Sequence, residues 1–304
     1  MANQTTLLAY LQDAPPPLEY VNIGQSADNT TSRSYNQDDI NSVNPWPEFN
    51  VNTILREYYD LLNAVHIDYD PIRAGTPEQR AITSESSLHW IFGEYIHPRV
   101  RRSLRRTFEY LENHHQDRQS QPQNHPATAG PALTQVLAPN QVGNPALLRT
   151  LDQVLARLPA RTPVTMGVGS DASKPNQYTP DCSYFDATLP RGTIGANRLP
   201  GDFKVSRKWS CLPGARSGRS RREFQKVLAQ LNYYMKQHRT PFGFILTDQQ
   251  LVPVRRLNRH GDLQVADPVP WTQRGAANAP ELTVALVFWY LGMLAADDRY
   301  QSFD

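Results

Sequence analysis

LPGDFKVSRKW, residues 199–209, is the stretch from which the rest of the chain is read. Phe203 to Trp209 is short and partly alternating, the pattern of a half-buried strand. Asp202 and Lys204 stand two apart at its start. Residues two apart on an extended strand point to one face, so a carboxylate and an ammonium project together into one pocket. Upstream, PVTMGVG (163–169) and DCSYFDATL (181–189) also read as strands, and Pro180-Asp181 opens the second. If the 181–189 and 203–209 strands form a hairpin pair, Asp181 falls near the end opposite Asp202. A bend or bulge must then bring the two carboxylates together. Downstream, a basic loop from Cys211 to Arg222 leads to a helix from about Ser220 to His238. Its expected buried stripe is Phe224, Val227, Leu228, Leu231 and Met235. FGFILT (242–247) and LVPVRRL (251–257) read as a strand pair joined at Asp248-Gln249-Gln250.

The N-terminal half is more helical. Residues 1–45 are rich in Asn, Gln, Ser, Thr and Pro and read as an irregular arm. From Asn52, Ile54, Leu55, Tyr58, Leu61, Leu62 and Val65 repeat at helical spacing. Thr76-Pro77-Glu78-Gln79 has the form of a capping box. Helical patterning runs from about Ser84 to Glu112, interrupted at Pro98. Residues 117–143 read as a flexible insertion, and Asn144 as the cap of a helix through Leu158. A C-terminal helix from Glu281 to about Ala296 is apolar nearly all round, hence buried. The expected fold is α/β: a mixed sheet flanked by helices within 46–304, with an N-terminal helical region.

Composition narrows the function classes. The 304 residues carry 31 Lys plus Arg and 29 Asp plus Glu, a formal charge of +2. That balance argues against a protein that coats DNA, yet it permits a local basic groove. Cys182 and Cys211 are too few for a disulfide framework or a four-cysteine zinc site. The N-terminus lacks a basic segment followed by a long apolar one, and Val284–Ala296 is too short to span a bilayer. These features lead to the expectation of a cytoplasmic protein with no membrane partner. The eight histidines show no HxH or HxxxH spacing. Gly167-Val168-Gly169-Ser170 lacks a nucleotide-binding pattern, and no GxSxG elbow appears.

In this order the motifs resemble the PD-(D/E)XK nuclease superfamily. Pro180-Asp181 matches its first motif and Asp202-Phe203-Lys204 its second. Gln230 lies on the following helix, one turn after Lys226, and the 242–257 strand pair completes the core order. Glu85 or Glu94 matches the superfamily's helical acidic residue. The resemblance covers 81–95 and 163–257. It implies a PD-(D/E)XK nuclease-like core in which Asp181 and Asp202 hold Mg²⁺ and Lys204 orients or deprotonates a water. The plainer reading makes Asp181 a turn residue and Asp202–Lys204 a surface ion pair.

The C-terminal half carries a closer resemblance. LPGDFKVSRKW, EFQKVLAQLNYYMKQH, FGFILTDQQLVPVRR and ELTVALVFWYLGMLAADD resemble filamentous-fungal proteins that include the arginine-containing cyclodipeptide synthases. Such enzymes take aminoacyl groups from arginyl-tRNA and a second charged tRNA and form cyclo-Arg-Xaa. The resemblance implies that reaction here, with no cofactor. The residue types are compatible with it. A carboxylate pair suits the planar fork of a guanidinium, so Asp181 and Asp202 become candidates for the arginyl group. Lys204 would assist amine deprotonation or stabilise an oxyanion. Ser206, on the same expected strand face, is either an acyl acceptor or a plain strand hydroxyl. Gln230 and Tyr233 are candidates for the second amino-acid pocket, with Glu94 and Lys226 as further substrate contacts; core packing is the plainer role of Tyr233. Arg207, Lys208, Arg216, Arg219, Arg221 and Arg222 cluster after the strand as candidate phosphate contacts. Arg99, Arg101, Arg102, Arg105 and Arg106 add a second basic face. Three functions therefore stand side by side: a tRNA-dependent synthase, a Mg²⁺-dependent nuclease, and a non-catalytic nucleic-acid-binding module.

Overall fold

The strands around Asp202 sit in the middle of an eight-stranded mixed sheet in the computed structural model, which describes residues 3–21, 29, 32–120, 150–156, 161–190, 192–211 and 218–303. In chain order the elements are β1 (Gln4–Thr6), α1 (Leu7–Leu11), β2 (Glu19–Tyr20), β3 (Ser42–Pro45), α2 (Val51–Ala64), β4 (His66–Asp68), β5 (Ala81–Ile82), α3 (Glu85–Tyr95) and α4 (His97–Ser120). There follow α5 (Leu151–Leu155), β6 (Val164–Val168), β7 (Cys182–Asp186), β8 (Gly201–Phe203), α6 (Gly218–Gln237), β9 (Phe242–Leu246), β10 (Gln250–Arg256), β11 (Asp262–Val265), β12 (Val269–Pro270) and α7 (Val284–Ala296). The sheet order is β3-β11-β10-β9-β8-β7-β6, with β12 on β10. β6, β7 and β8 run antiparallel in turn, whereas β8 and β9 are parallel. A parallel pair needs a crossover, and α6 supplies it.

Alternation along β9 assigns the two faces. Phe244 and Leu246 enter a core shared with α4 and α7, and Ile245 enters a second one under α6. The stripe Phe224, Val227, Leu228, Leu231 and Met235 lies in that second core, as its spacing requires. α7 is buried along nearly its whole length because it runs between the sheet, α4 and the N-terminal helices. Thr283 caps it by accepting the Leu286 N–H, so the helix starts at Val284 with the apolar run and three residues later than the expected Glu281.

The structure differs from the expected irregular arm. Leu7, Leu8, Tyr10 and Leu11 of α1 are part of the larger core, and β3 pairs with β11 at the sheet edge. Polar composition concealed a few apolar residues that suffice to dock the chain. The Thr76–Gln79 capping box forms, but it caps a single 3₁₀ turn and not a helix. Ser84 caps α3, and α4 begins at His97, so Pro98 sits in a first turn where its missing N–H costs nothing. The described helix after the insertion is α5, capped by Thr150. Asn144 and residues 121–143 lie outside the described residues. No described helix is long and apolar enough to cross a membrane.

Candidate functional site

Register brings the two aspartates together. β7 and β8 pair antiparallel with Cys182 opposite Gly201, and the Asp181 N–H donates to the Gly201 carbonyl at 3.0 Å. Asp181 therefore lies opposite Asp202, and no bulge is needed. The expected strand through Trp209 ends instead at Phe203, followed by a turn in which the Lys208 N–H returns to the Val205 carbonyl at 2.8 Å. Because β8 is so short, its end is where Asp202 stands, and an antiparallel partner presents its start there. One further ladder bond, from the Lys204 N–H to the Leu246 carbonyl at 2.9 Å, keeps Lys204 in line with the strand.

The side chains then converge. Lys204 Nζ lies 2.6 Å from Asp202 Oδ2, and both residues are buried. Asp181 Oδ2 accepts the Phe203 N–H at 2.7 Å, and its Oδ1 lies 3.1 Å from His89 Nε2. The His89 ring packs against Phe203, with centroids 4.5 Å apart. Glu85 is one turn before His89 on α3, so both face the strand. Its Oε1 lies 3.2 Å from Lys208 Nζ. From α6, Gln230 Nε2 donates to Tyr234 Oη at 3.0 Å. Asn29, Glu85, Thr179, Asp181, Asp202, Lys204, Lys208, Gln230 and Tyr234 enclose a cavity of about 160 Å³.

Burial and charge pull these groups apart. Desolvation is the largest influence on Asp202 and, with the Asp181 charge, pushes its carboxyl up to about 7 against the pull of Lys204. Burial also raises Asp181, but the His89 hydrogen bond, the Lys204 charge and the Phe203 N–H together hold it below the usual carboxylate value. Burial opposes the Lys204 ammonium, yet Asp202, Asp181 and Glu85 outweigh it and keep it charged. Burial and the nearby Asp202 raise the Tyr234 phenol far above neutrality, so it remains a hydrogen-bond donor.

The structure gathers Asp181, Asp202, Lys204, Gln230, Glu85 and Lys208, and separates other candidates. Glu94 is exposed; nine residues after Glu85, it falls on the far side of α3. Ser206 is not on the strand face: its N–H and Oγ donate to Asp248 at 2.6 and 2.7 Å. Lys226 pairs with Glu223 at 2.6 Å outside the cavity wall. Tyr233 packs beside Tyr35 and Tyr178, whereas its neighbour Tyr234, one turn after Gln230, lines the cavity.

Among the basic candidates, Arg207 sits over the Tyr20 ring, and Lys208 turns inward to Glu85. Arg221 and Arg222 are exposed at the start of α6. Arg216 lies outside the described residues, as does the Arg219 side chain. Arg99 is no phosphate contact: it is buried and donates to the carbonyls of Tyr10 and Asp70, each at 2.6 Å. Arg102 and Arg106 pair with Asp70 and Glu109, and Arg101 and Arg105 are exposed.

His89, Thr179, Tyr234 and Asn29 escaped the sequence reading. The i, i+4 spacing of Glu85 and His89 was the available signal for one of them. Asn29 Nδ2 donates to the Lys208 carbonyl at 2.8 Å and to Glu223 at 3.1 Å, a tertiary contact no local pattern announces.

Among the described residues, no three His, Cys, Asp or Glu side chains stand close enough to hold a metal. Asp202 faces an ammonium, and Asp181 faces His89 and a backbone N–H.

Close backbone packing fixes Asp181. A Cβ on Gly169 would lie 1.7 Å from the Pro180 carbonyl oxygen, and backbone cannot move aside as a side chain can. Gly169→Ala is expected to cost about 1–3 kcal/mol in denaturant unfolding and to shift Asp181 off His89. Wild-type stability in that variant would refute the packing argument.

Comparison with protein-family models, with curated proteins and with solved structures gave no match.

Proposed function

We propose that this chain is an aminoacyl-tRNA-dependent synthase forming an arginine-containing cyclic dipeptide, cyclo-Arg-Xaa, on a PD-(D/E)XK nuclease-like core. The order β6-β7-β8-α6-β9, preceded by α3 with α4 and α5 intervening, and the parallel pairing of β9 with β8 support the fold part of this reading. The observation that carries the functional part is the charge in the cavity. Three carboxylates, Asp181, Asp202 and Glu85, face two ammoniums, Lys204 and Lys208. With Asp202 ionised, one negative charge remains, and one guanidinium balances it.

The chemistry follows from that placement. Asp202 and Glu85 present oxygens to the arginyl guanidinium, while Asp181 holds His89. The amine of one aminoacyl group attacks the ester carbonyl of the other. A C–N bond forms and the ester C–O bond breaks. The departing 3′ oxygen of that tRNA takes up a proton. The second amine then attacks the remaining ester in the same way, which closes the ring and frees the second tRNA. His89, oriented by Asp181, accepts the proton of the attacking amine. Lys204 and the Tyr234 hydroxyl donate to the developing oxyanion. The ester supplies the activation, so no step calls for a metal.

Expression in a host with charged tRNA should yield cyclo-Arg-Xaa masses; soluble, folded protein without them sinks the proposal. Cleavage of plasmid or RNA that depends on a divalent cation, and disappears in Asp202→Ala, would put the nuclease in its place.

The cavity also has a pH signature. A guanidinium favours ionised Asp202, so ethylguanidinium should bind more tightly as pH rises through about 7. The expected gain between pH 6 and pH 8 is about tenfold by titration calorimetry, with Asp202→Asn flattening it. A pH-independent affinity would count against Asp202 as the guanidinium contact.

A further inference from the structure

Beside the cavity, three chain segments meet through tyrosines that the chemistry above does not use. Tyr35, Tyr178 and Tyr233 have ring centroids 5.5–5.9 Å apart. Ser32 Oγ lies 2.5 Å from Tyr178 Oη, and Asn176 Nδ2 donates to Tyr233 Oη at 2.7 Å, so the ring orientations are fixed. The cluster adjoins the cavity by chain neighbourhood: Tyr178 precedes Thr179 and Tyr233 precedes Tyr234, both cavity-lining residues. Tyr35 lies within electrostatic reach of Asp202 and Lys204. Tyr35 is buried beneath the cluster and Tyr178 and Tyr233 are half-buried, while Arg33, near Tyr35 in the chain, and Lys174, near Tyr178, are exposed. Fixed aromatic rings flanked by exposed cations form the combination that binds a nucleotide: stacking for the base, positive charge for the phosphate.

We propose that Tyr178 and Tyr233, backed by the buried Tyr35, form a subsite for the 3′-terminal nucleotide of the charged tRNA; this rests on the synthase reading above. The aminoacyl ester is carried on the ribose of that nucleotide. An aminoacyl group in the cavity therefore places the last base directly at its mouth. Every tRNA ends in the same adenosine, so one subsite serves both the arginyl and the second tRNA. Stacking tolerates any base, and specificity is left to the cavity.

The test uses an uncharged RNA tetranucleotide, 5′-ACCA-3′ with a 5′ fluorescein, read by anisotropy on the full chain. Tyr178→Ala and Tyr233→Ala should each weaken binding about tenfold, whereas Tyr178→Phe and Tyr233→Phe keep it. Exchange of the two exposed cations, Arg33→Ala with Lys174→Ala, should weaken binding and flatten its salt dependence. No binding by the wild-type chain overturns the subsite, as does unchanged binding in the alanine variants. If the alanine variants do not fold, an unchanged salt slope in the Arg33/Lys174 variant overturns it instead. Tetranucleotide binding with the expected losses, from a chain that makes no cyclic dipeptide, leaves the subsite standing and removes the synthase. Cyclic dipeptide production with unaltered binding in the variants does the reverse.

Discussion

Asp202→Asn is expected to lower cyclic dipeptide formation by about 10²- to 10³-fold while the chain stays folded. The amide keeps the shape of the carboxyl and removes its charge. That change strikes the site twice. The guanidinium loses its buried anionic partner, and Lys204 loses the closest of the three carboxylates that keep it charged. The loss of rate should come with a poorer response to added arginyl-tRNA, because ground-state binding of the arginyl group is lost along with transition-state stabilisation. Product quantification by mass spectrometry, with circular dichroism as the folding control, decides it. Activity within about threefold of wild type would remove Asp202 from the site's chemistry.

Lys204→Met should have the largest effect on stability, and one that depends on pH. The ammonium and the Asp202 carboxylate are buried 2.6 Å apart, and removing one partner of such a pair costs about 3–5 kcal/mol. The sign follows from Asp202. Its folded pKa is already raised to about 7, and Lys204 is the main influence holding it down. Without the lysine it rises further. A carboxyl with a raised folded pKa binds more protons folded than unfolded, so the stability of the variant falls as pH climbs from the unfolded value through the folded one. The cost relative to wild type should be lowest at pH 5, where Asp202 is protonated in both proteins, and greater by up to about 1.4 kcal/mol at pH 8. Adding Asp202→Asn removes the buried charge and should restore most of the loss at pH 8. Chemical denaturation at the two pH values measures this. An equal cost at both would show that the lysine contributes packing and not charge.

Part of the site was legible because the signal is local. Asp202 and Lys204 meet for the reason their two-residue spacing gives, even though the strand around them is shorter than its alternation suggests. The α6 stripe and the buried α7 were legible for the same reason: periodicity reports which face is apolar. Glu85 could be named but not chosen over Glu94, because the choice depends on how α3 is rotated against β8. His89 had no spacing partner among the other histidines, and its partner is a carboxylate nearly a hundred residues away. Ser206 was misplaced because Asp248, in a distant turn, captures its hydroxyl. Arg99 looked like part of a basic face, and only the packing of α1 against α4 shows it capping carbonyls in the interior.

The amino-acid sequence by itself determined the mixed α/β class, the core stripes of the long helices, and the pairing of a carboxylate with a lysine on one strand. All three rest on repeats shorter than a few turns of chain, which the backbone geometry of helix and strand converts directly into facing side chains. Tertiary structure alone decided that Asp181 stands opposite Asp202, that His89 faces Asp181, and that tyrosines from three segments pack against one another. Those facts depend on register, on helix rotation and on long-range docking. Each is set by the sum of many packing contacts between distant residues, and none leaves a local pattern to read.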